Sequence, residues 1–423
     1  MNNKRKIKIL PLFLILPFLL CSCKKSVRTE IFEVRNEGVA LNDDIREQIS
    51  GKKNTNSKQI TSQYQPVNYD EQKAIWFSYI DLAEFISGKS KSEFKALIST
   101  ALENVSNAGF NTVYIHVRAF EDAFYKSKLF PKTSYLGTQT YDPLKIIISK
   151  AHKLNLSVHA WINPFRCGNI ATLESISDTY PIKKWYNDDE KNGKYIVSVD
   201  NDEHLWLNPA YSDVRQLVAD GVLEIVENYN VDGIHFDDYF YPTTDKSFDK
   251  AAFKESGSTN LSDWRIENIN KMVRLVYNSI KEKNKNIIFG ISPQGNIEND
   301  YQLQFADVKT WCSEEGYVDY ITPQVYYGYS STSPYLETIK RWDKLKTNKN
   351  VRLVIGLAEY KVISEDEYIN NKGIIAEQIK DAKELSNYSG VAIYNYKNLF
   401  EADDEFSERV EAEHTFITEE LSE

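Results

Sequence analysis

Cysteine is scarce in this chain. Four occur among 423 residues, and two of them, Cys21 and Cys23, fall in the first 23 positions. The body keeps only Cys167 and Cys312, with no Cys-x-x-Cys pair and no Cys/His ligand spacing. That excludes a zinc ribbon and a disulfide framework, and leaves a single Cys167–Cys312 bridge as the one pairing open. Excess positive charge is lacking too. The 51 Lys and Arg against 61 Asp and Glu give a formal net charge of −10, which argues against nucleic acid as the main partner. The apolar run from Ile9 to Leu20 is too short for a comfortable membrane span. No metal-binding cluster appears, and no cofactor is implied.

What is present begins with a leader. Lys4, Arg5, Lys6 and Lys8 form a basic region ahead of the apolar run. Leu20-Cys21-Ser22-Cys23 then resembles a bacterial lipobox, with Cys23 as the lipidated first mature residue. A plain cleaved signal or a short anchor is the alternative, and each of these predicts export. Residues 1–22 are thus read as a lipoprotein signal peptide. Residues 23–70, rich in Asn, Gln, Lys and Ser, are read as a lipidated N-terminus and flexible linker. A barrel is expected over 71–400, and an acidic tail over 401–423 with too little apolar surface to stay ordered.

The expectation of a barrel comes from alternation. Ala74–Ile80 reads as a strand, and Ser92–Ala108 as a helix in which Phe94, Leu97, Ile98, Ala101, Leu102 and Val105 recur at helical spacing before Gly109. Further strands follow at Thr112–Arg118, Ser157–Asn163, Gly233–Asp237, Ile287–Ser292, Tyr317–Tyr326, Val351–Leu357 and Gly390–Tyr396, with helices between them and a long loop from Pro164 to Pro209. Eight strands alternating with helices predict an α/β chain with a single (β/α)8 TIM-type barrel. A doubly wound open sheet is the runner-up, disfavoured because no glycine-rich phosphate loop follows the first strand.

Each strand carries its own phase. Val113, Ile115 and Val117 face outward, sending Tyr114, His116 and Arg118 to the axis. Val158, Ala160 and Ile162 likewise leave His159, Trp161 and Asn163 inside. Ile234 and Phe236 oppose His235 and Asp237, and Ile321 and Val325 leave Thr322, Gln324 and Tyr326 facing in, while Tyr394 does so on the last strand. In such barrels, catalytic groups sit at the carboxyl ends of the strands, so these residues converge on one cup. Any one of them alone is as readily a satisfied core polar group.

Several motifs then stand in order: Asn111 to Arg118 followed by Glu121 to Ser127, Tyr141-Asp142-Pro143-Leu144, His159 to Arg166, Trp206-Leu207-Asn208-Pro209, Asp232 to Pro242, and Val318 to Tyr326. Together they resemble the bacterial glycosyl-hydrolase-like family 10, from about Ala74 to Phe400. The resemblance implies a TIM-barrel glycoside hydrolase. One branch of that family comprises division-associated lipoproteins that cleave peptidoglycan glycan strands lacking stem peptides. A cell-envelope location, a lipid anchor and possible contacts with division proteins of the envelope follow as expectations. Phe120-Glu121-Asp122 departs from relatives, which usually place Gly before the Asp.

Glycoside hydrolysis usually needs two carboxyl groups. Asp237 is the acid that strand phase aims at the axis, and it is expected to act as general acid, with Asp238 as its partner. Asp122 and Asp307 are the other candidates for the second carboxylate, with Glu359 and Glu121 ranked below them. Arg118, Asn163 and Gln324 are expected to hold sugar hydroxyls or an N-acetyl group. Trp161, Tyr239, Tyr326 and Tyr394 are expected to offer stacking faces. His159 and Asn208 complete the expected substrate contacts. A non-catalytic glycan-binding lipoprotein on a degenerate barrel is the competing reading.

Overall fold

The computed structural model describes residues 64–422. The leader, Cys23 and most of the expected linker lie outside the described residues. Eight parallel strands close into a barrel: β1 (Gln72–Phe77), β2 (Thr112–Arg118), β3 (Ser157–Ile162), β6 (Gly233–Phe236), β7 (Ile288–Ile291), β8 (Tyr320–Ile321), β9 (Arg352–Ala358) and β10 (Tyr388–Tyr394). β10 pairs with β1 and closes the ring. The remaining strands, β4 (Ile196–Ser198) and β5 (Leu205–Leu207), form a separate antiparallel ribbon inside what the sequence suggests is one long loop. This is the (β/α)8 architecture expected from the alternation of strands and helices.

The two faces of the strands separate as their alternation demands. Val113, Ile115, Val158, Ala160, Ile234, Phe236, Ile291, Ile355 and Ile393 join the large core between strands and helices. Ala74, Trp76, Tyr114, Trp161, Tyr320, Val354 and Ala392 form a second cluster that fills the barrel itself. A Cβ on Gly290 would lie 2.1 Å from the Tyr320 ring, so β7 gives up its side chain there to admit the tyrosine. The helix Lys91–Asn107 shows how the outer layer is made. Ser90 and Glu93 form a capping box, and Phe94, Ile98, Ala101, Leu102 and Val105 are buried, whereas Leu97 lies on the exposed side.

Four expectations need correction. The first strand stops at Phe77, because Ser78 caps a helix over Tyr79–Ile86 and takes the chain out of the sheet. The sixth barrel strand is only two residues long, because Pro323 has no N–H to donate to the ladder; single bridges through Gln324 carry the pairing onward. The expected linker does not run to residue 70. The Tyr64 hydroxyl and the Val67 N–H both donate to Asp232 Oδ1 at 2.6 Å, binding this segment beneath the barrel. The acidic tail does not fray: Ser407–Ser422 is a helix with Val410, Ile417 and Leu421 buried. Its Glu413 accepts the N–H groups of Gly373 (2.7 Å) and Ile375 (2.8 Å), capping the helix Ile374–Lys383 from outside. Cys167 and Cys312 are free, buried thiols, so the bridge left open by the sequence is not formed.

Candidate active site

β6 ends at Phe236, and Asp237 is the next residue, at the carboxyl rim of the barrel. Its N–H bonds to Ile162 O of β3 at 3.2 Å, so the backbone stays tied to the sheet while the side chain reaches the floor of the cup. Gln324 Nε2 donates to Asp237 Oδ1 at 2.9 Å, and the Asp238 N–H donates to the same oxygen at 2.9 Å. Gln324 is itself held by its backbone, whose N–H reaches Pro293 O at 2.9 Å. Burial, followed by the charge of Asp238, pushes the Asp237 carboxyl well above the usual range. Asp238 lies partly open beside it and accepts Gln304 Nε2 on Oδ2 at 3.2 Å. Burial raises Asp238 as well, but hydrogen bonds from Gln304, Asp237 and Gln294 pull it back. Burial thus raises both carboxyls, Asp237 the more strongly, while the amide neighbours of Asp238 offset part of its rise. Two carboxyls of unequal acidity fit acid–base chemistry on an acetal.

A third carboxylate stands behind this pair and was not legible in the sequence. Asp300, in the helix Ile297–Leu303, is fully buried and accepts the Gln294 N–H at 3.0 Å. It is raised by burial and then by Asp238. It fixes the segment that carries Gln294.

Tyrosines wall the cup. The rings of Tyr326 and Tyr394 lie 6.1 Å apart, and Tyr360 stands edge-on to both, at 6.3 and 6.1 Å. Tyr239 lies 6.0 Å from Trp206, and all of these tyrosines are only partly buried. Trp161 faces the axis as expected, but His116 stacks on it at 3.7 Å and the indole is nearly buried, so it offers no open face. Asn163 donates to Ala119 O at 3.1 Å, while its Oδ1 is buried without a partner.

Other expected contacts lie elsewhere. Arg118 does not face the cup. The register between β2 and β3 shifts between His116 and Arg118, and that bulge reverses the phase of the last residue. Arg118 turns outward to the helix Ser212–Asn228, where a Cβ on Gly221 would meet its Nη1 at 2.1 Å. It packs over Phe130 at 4.2 Å and pairs with Glu121 at 3.6 Å. Glu121 has φ 55°, a left-handed conformation, and supplies a buried partner for Arg118.

His159 faces inward but lies deep in the barrel, and burial lowers it to about 3. It belongs to a relay: Trp76 Nε1 donates to His235 Nε2 (3.2 Å), His235 Nδ1 to the Tyr320 oxygen (2.9 Å), and the Tyr320 hydroxyl to His159 Nδ1 (2.8 Å). The indole can only donate, which fixes the tautomer of each neutral ring.

Asp122 accepts the Phe120 N–H at 3.2 Å and braces its own loop. Asp307 caps the helix Val308–Ser313 and accepts Asn270 Nδ2 at 3.0 Å. Asn208 accepts the Ala210 N–H at 3.0 Å. These three are loop and cap residues. Glu359 is buried and raised to about 8 by burial and Glu413, beneath the C-terminal helix.

Arg166 closes the His159–Arg166 motif, beyond the reach of strand phase. It follows β3 at the rim, and its guanidinium lies between the rings of Phe120 (4.9 Å) and Tyr239 (4.8 Å). Among the described residues, no group of three or more His, Cys, Asp and Glu is placed to hold a metal ion.

Comparison with known proteins agrees with this geometry. The family described as glycosyl hydrolase-like 10 matches residues 71–372. The Bacillus subtilis protein named glycosyl hydrolase YngK is 31% identical over 323 residues, covering 69% of this chain and 61% of its own length. The chain therefore spans about three fifths of that relative. The Escherichia coli K12 protein named glycosyl hydrolase DigH is 30% identical over 307 residues, covering 65% of this chain and 68% of its own. Among solved structures, the glycoside hydrolase domain of PgaB (BpsB) from Bordetella bronchiseptica superposes with a TM-score of 0.55 at 9% identity, over 80% of this chain and 98% of that one, a likeness of fold. With most of the barrel inside the matched span, this chain belongs to the glycosyl hydrolase-like 10 family.

Proposed function

We propose that the protein hydrolyses glycosidic bonds in a cell-envelope polysaccharide, with peptidoglycan glycan strands as the substrate and Asp237 as the general acid. The observation that carries this reading is the pair of neighbouring carboxyls at the end of β6, one pushed well above the usual range and both ringed by amides and tyrosines. Asp237 donates its proton to the glycosidic oxygen as the bond to the anomeric carbon breaks. Asp238 supplies the second carboxylate that the displacement needs. Gln324 keeps Asp237 in place, and Tyr239, Tyr326 and Tyr394 offer faces to the sugar rings. The names of the relatives support hydrolysis. The sequence resemblance supports peptidoglycan, and the lipobox-like Leu20-Cys21-Ser22-Cys23 supports an envelope location with a lipid on Cys23.

The test is incubation of the protein with peptidoglycan, both intact and stripped of its peptides, followed by mass analysis of released fragments. Hydrated saccharides with new reducing ends are the expected product. Binding without cleavage would refute hydrolysis and favour a glycan-binding lipoprotein.

A further inference from the structure

Among the described residues, every arginine but one has an ion-paired carboxylate or a backbone carbonyl as partner, Arg118 by charge alone at 3.6 Å without a hydrogen bond. Arg118 faces Glu121, Arg265 binds Asp249, Arg274 binds Glu267, Arg341 binds Glu298 and Arg352 binds Asp70. Arg215 donates to the carbonyls of Pro209 and Ala210, and Arg409 to that of Val362. Arg166 has neither. Its one hydrogen bond is from Nη2 to His204 Nδ1 at 3.3 Å, and its Nε is buried without a partner. A guanidinium carries five N–H donors and keeps its charge at any physiological pH. The rings of Phe120 and Tyr239 cover its faces but accept none of those hydrogens in its plane.

The group is also held ready. Arg166 bridges Trp206 of β5, and the flanking N–H groups of Cys167 and Leu207 bond across to Leu205 O and Phe165 O at 2.8 Å each. Gly168 N–H ties the same segment to Phe120 O at 3.0 Å. The nearest acid on this segment, Asp202, is occupied by Trp206 Nε1 at 2.8 Å and the His204 N–H at 2.9 Å. Arg166 stands on Tyr239, two residues from Asp237, so its free donors belong to the same cup. Its Nε is buried, so a ligand reaches this fixed, partly exposed guanidinium at its Nη end, and a planar carboxylate can match that end in bidentate fashion.

We propose that Arg166 is a specificity-determining residue that binds a carboxylate carried by the glycan, namely the 3-O-lactyl carboxylate of a muramyl residue left free when no peptide is attached. The proposal rests on the peptidoglycan reading above and deepens it. Amide-linked peptide removes that negative charge, so Arg166 discriminates bare strands from substituted ones.

The test compares bare glycan strands with the same strands whose lactyl carboxylates have been converted to methylamides, using the parent, Arg166→Gln and Arg166→Lys. The parent should show a KM about tenfold or more lower on the free carboxylates, the range for losing one charged hydrogen-bonding partner. Arg166→Gln should bring that ratio close to one, and Arg166→Lys should recover part of it. An unchanged ratio in Arg166→Gln, or a parent that does not discriminate, overturns the proposal. Should the parent cleave neither substrate, the hydrolase reading fails. Equilibrium binding of the parent and Arg166→Gln to the two glycans then decides the role of Arg166 by itself, with equal affinities counting against it.

Discussion

Asp237→Asn separates chemistry from structure at this site. Asp237 Oδ1 accepts two hydrogen bonds, from Gln324 Nε2 and from the Asp238 N–H. Asparagine retains that oxygen, so both bonds survive and the floor of the cup keeps its shape. What is lost is the proton for the leaving group. A positioned general acid contributes about a hundredfold to ten-thousandfold, so turnover should fall by at least about a hundredfold, roughly 2.7 kcal/mol of barrier at 1.36 kcal/mol per tenfold. Stability should move the other way. The folded-state pKa of Asp237 is raised, so its stabilising share is full below the unfolded pKa and is lost as pH rises through the folded one. Above that point the parent holds a buried charge that the amide does not, and the variant should melt no earlier than the parent in alkaline solution. The same sign fixes the pH profile: kcat/KM of the parent should fall as pH rises and Asp237 ionises. Reducing-end release and thermal melts across pH measure both effects. Near-parental turnover in Asp237→Asn would place the catalytic centre elsewhere, and a less stable alkaline variant would contradict the assigned burial penalty.

Three further substitutions test the frame around the site. Gly290→Ala places a Cβ 2.1 Å from the Tyr320 ring and should destabilise the barrel by about 1–3 kcal/mol, read as a shifted urea midpoint at unchanged slope; an unmoved midpoint would refute the position of the ring. Asp232→Ala removes the acceptor for Tyr64, Val67, the Val158 N–H at 2.7 Å and His152 at 2.9 Å. It should cost about 1–3 kcal/mol and speed amide exchange at Val67 and Val158, whereas unchanged exchange would mean the segment is held by something else. Glu413→Ala uncaps the helix Ile374–Lys383 and should cost about 0.5–2 kcal/mol; a melting temperature equal to the parent's would count against capping from the C-terminal helix.

The barrel was legible because its strands are written in a strict period of two. Outward branched residues and inward aromatic or polar ones separate into two distinct clusters in the structure. The helix at Ser407–Ser422 was not legible. Its buried apolar face is sparse, Val410, Ile417 and Leu421 among mostly charged or polar neighbours, and what orders it is docking on another helix and not its own pattern. Asp122 and Asn208 lie within the sequence motifs and Asp307 is a candidate second carboxylate, but the bonds of all three are to nearby loops and caps, which strand phase does not describe. Arg166 escaped notice for the opposite reason. Its significance lies in what surrounds it, Phe120, His204 and Tyr239, which come from three separate segments.

Phase fails where a strand stops being a strand, and those are the places where the site is made. Extending β2 by its own alternation puts Arg118 in the cup; the bulge after His116 turns it to the helices instead. Extending β6 in the same way puts Asp237 and Asp238 on opposite faces, which would separate the two carboxyls. The strand ends at Phe236, and Asp238 is released from the pleat. It then joins Asp237 on the amides of Gln304 and Gln324, which reach in from segments beyond β7 and β8. Adjacent acids in sequence become adjacent acids in space only because the ladder has ended. The same interruption keeps one of them buried and the other open to Gln304, and that difference in surroundings pushes the two apart in acidity.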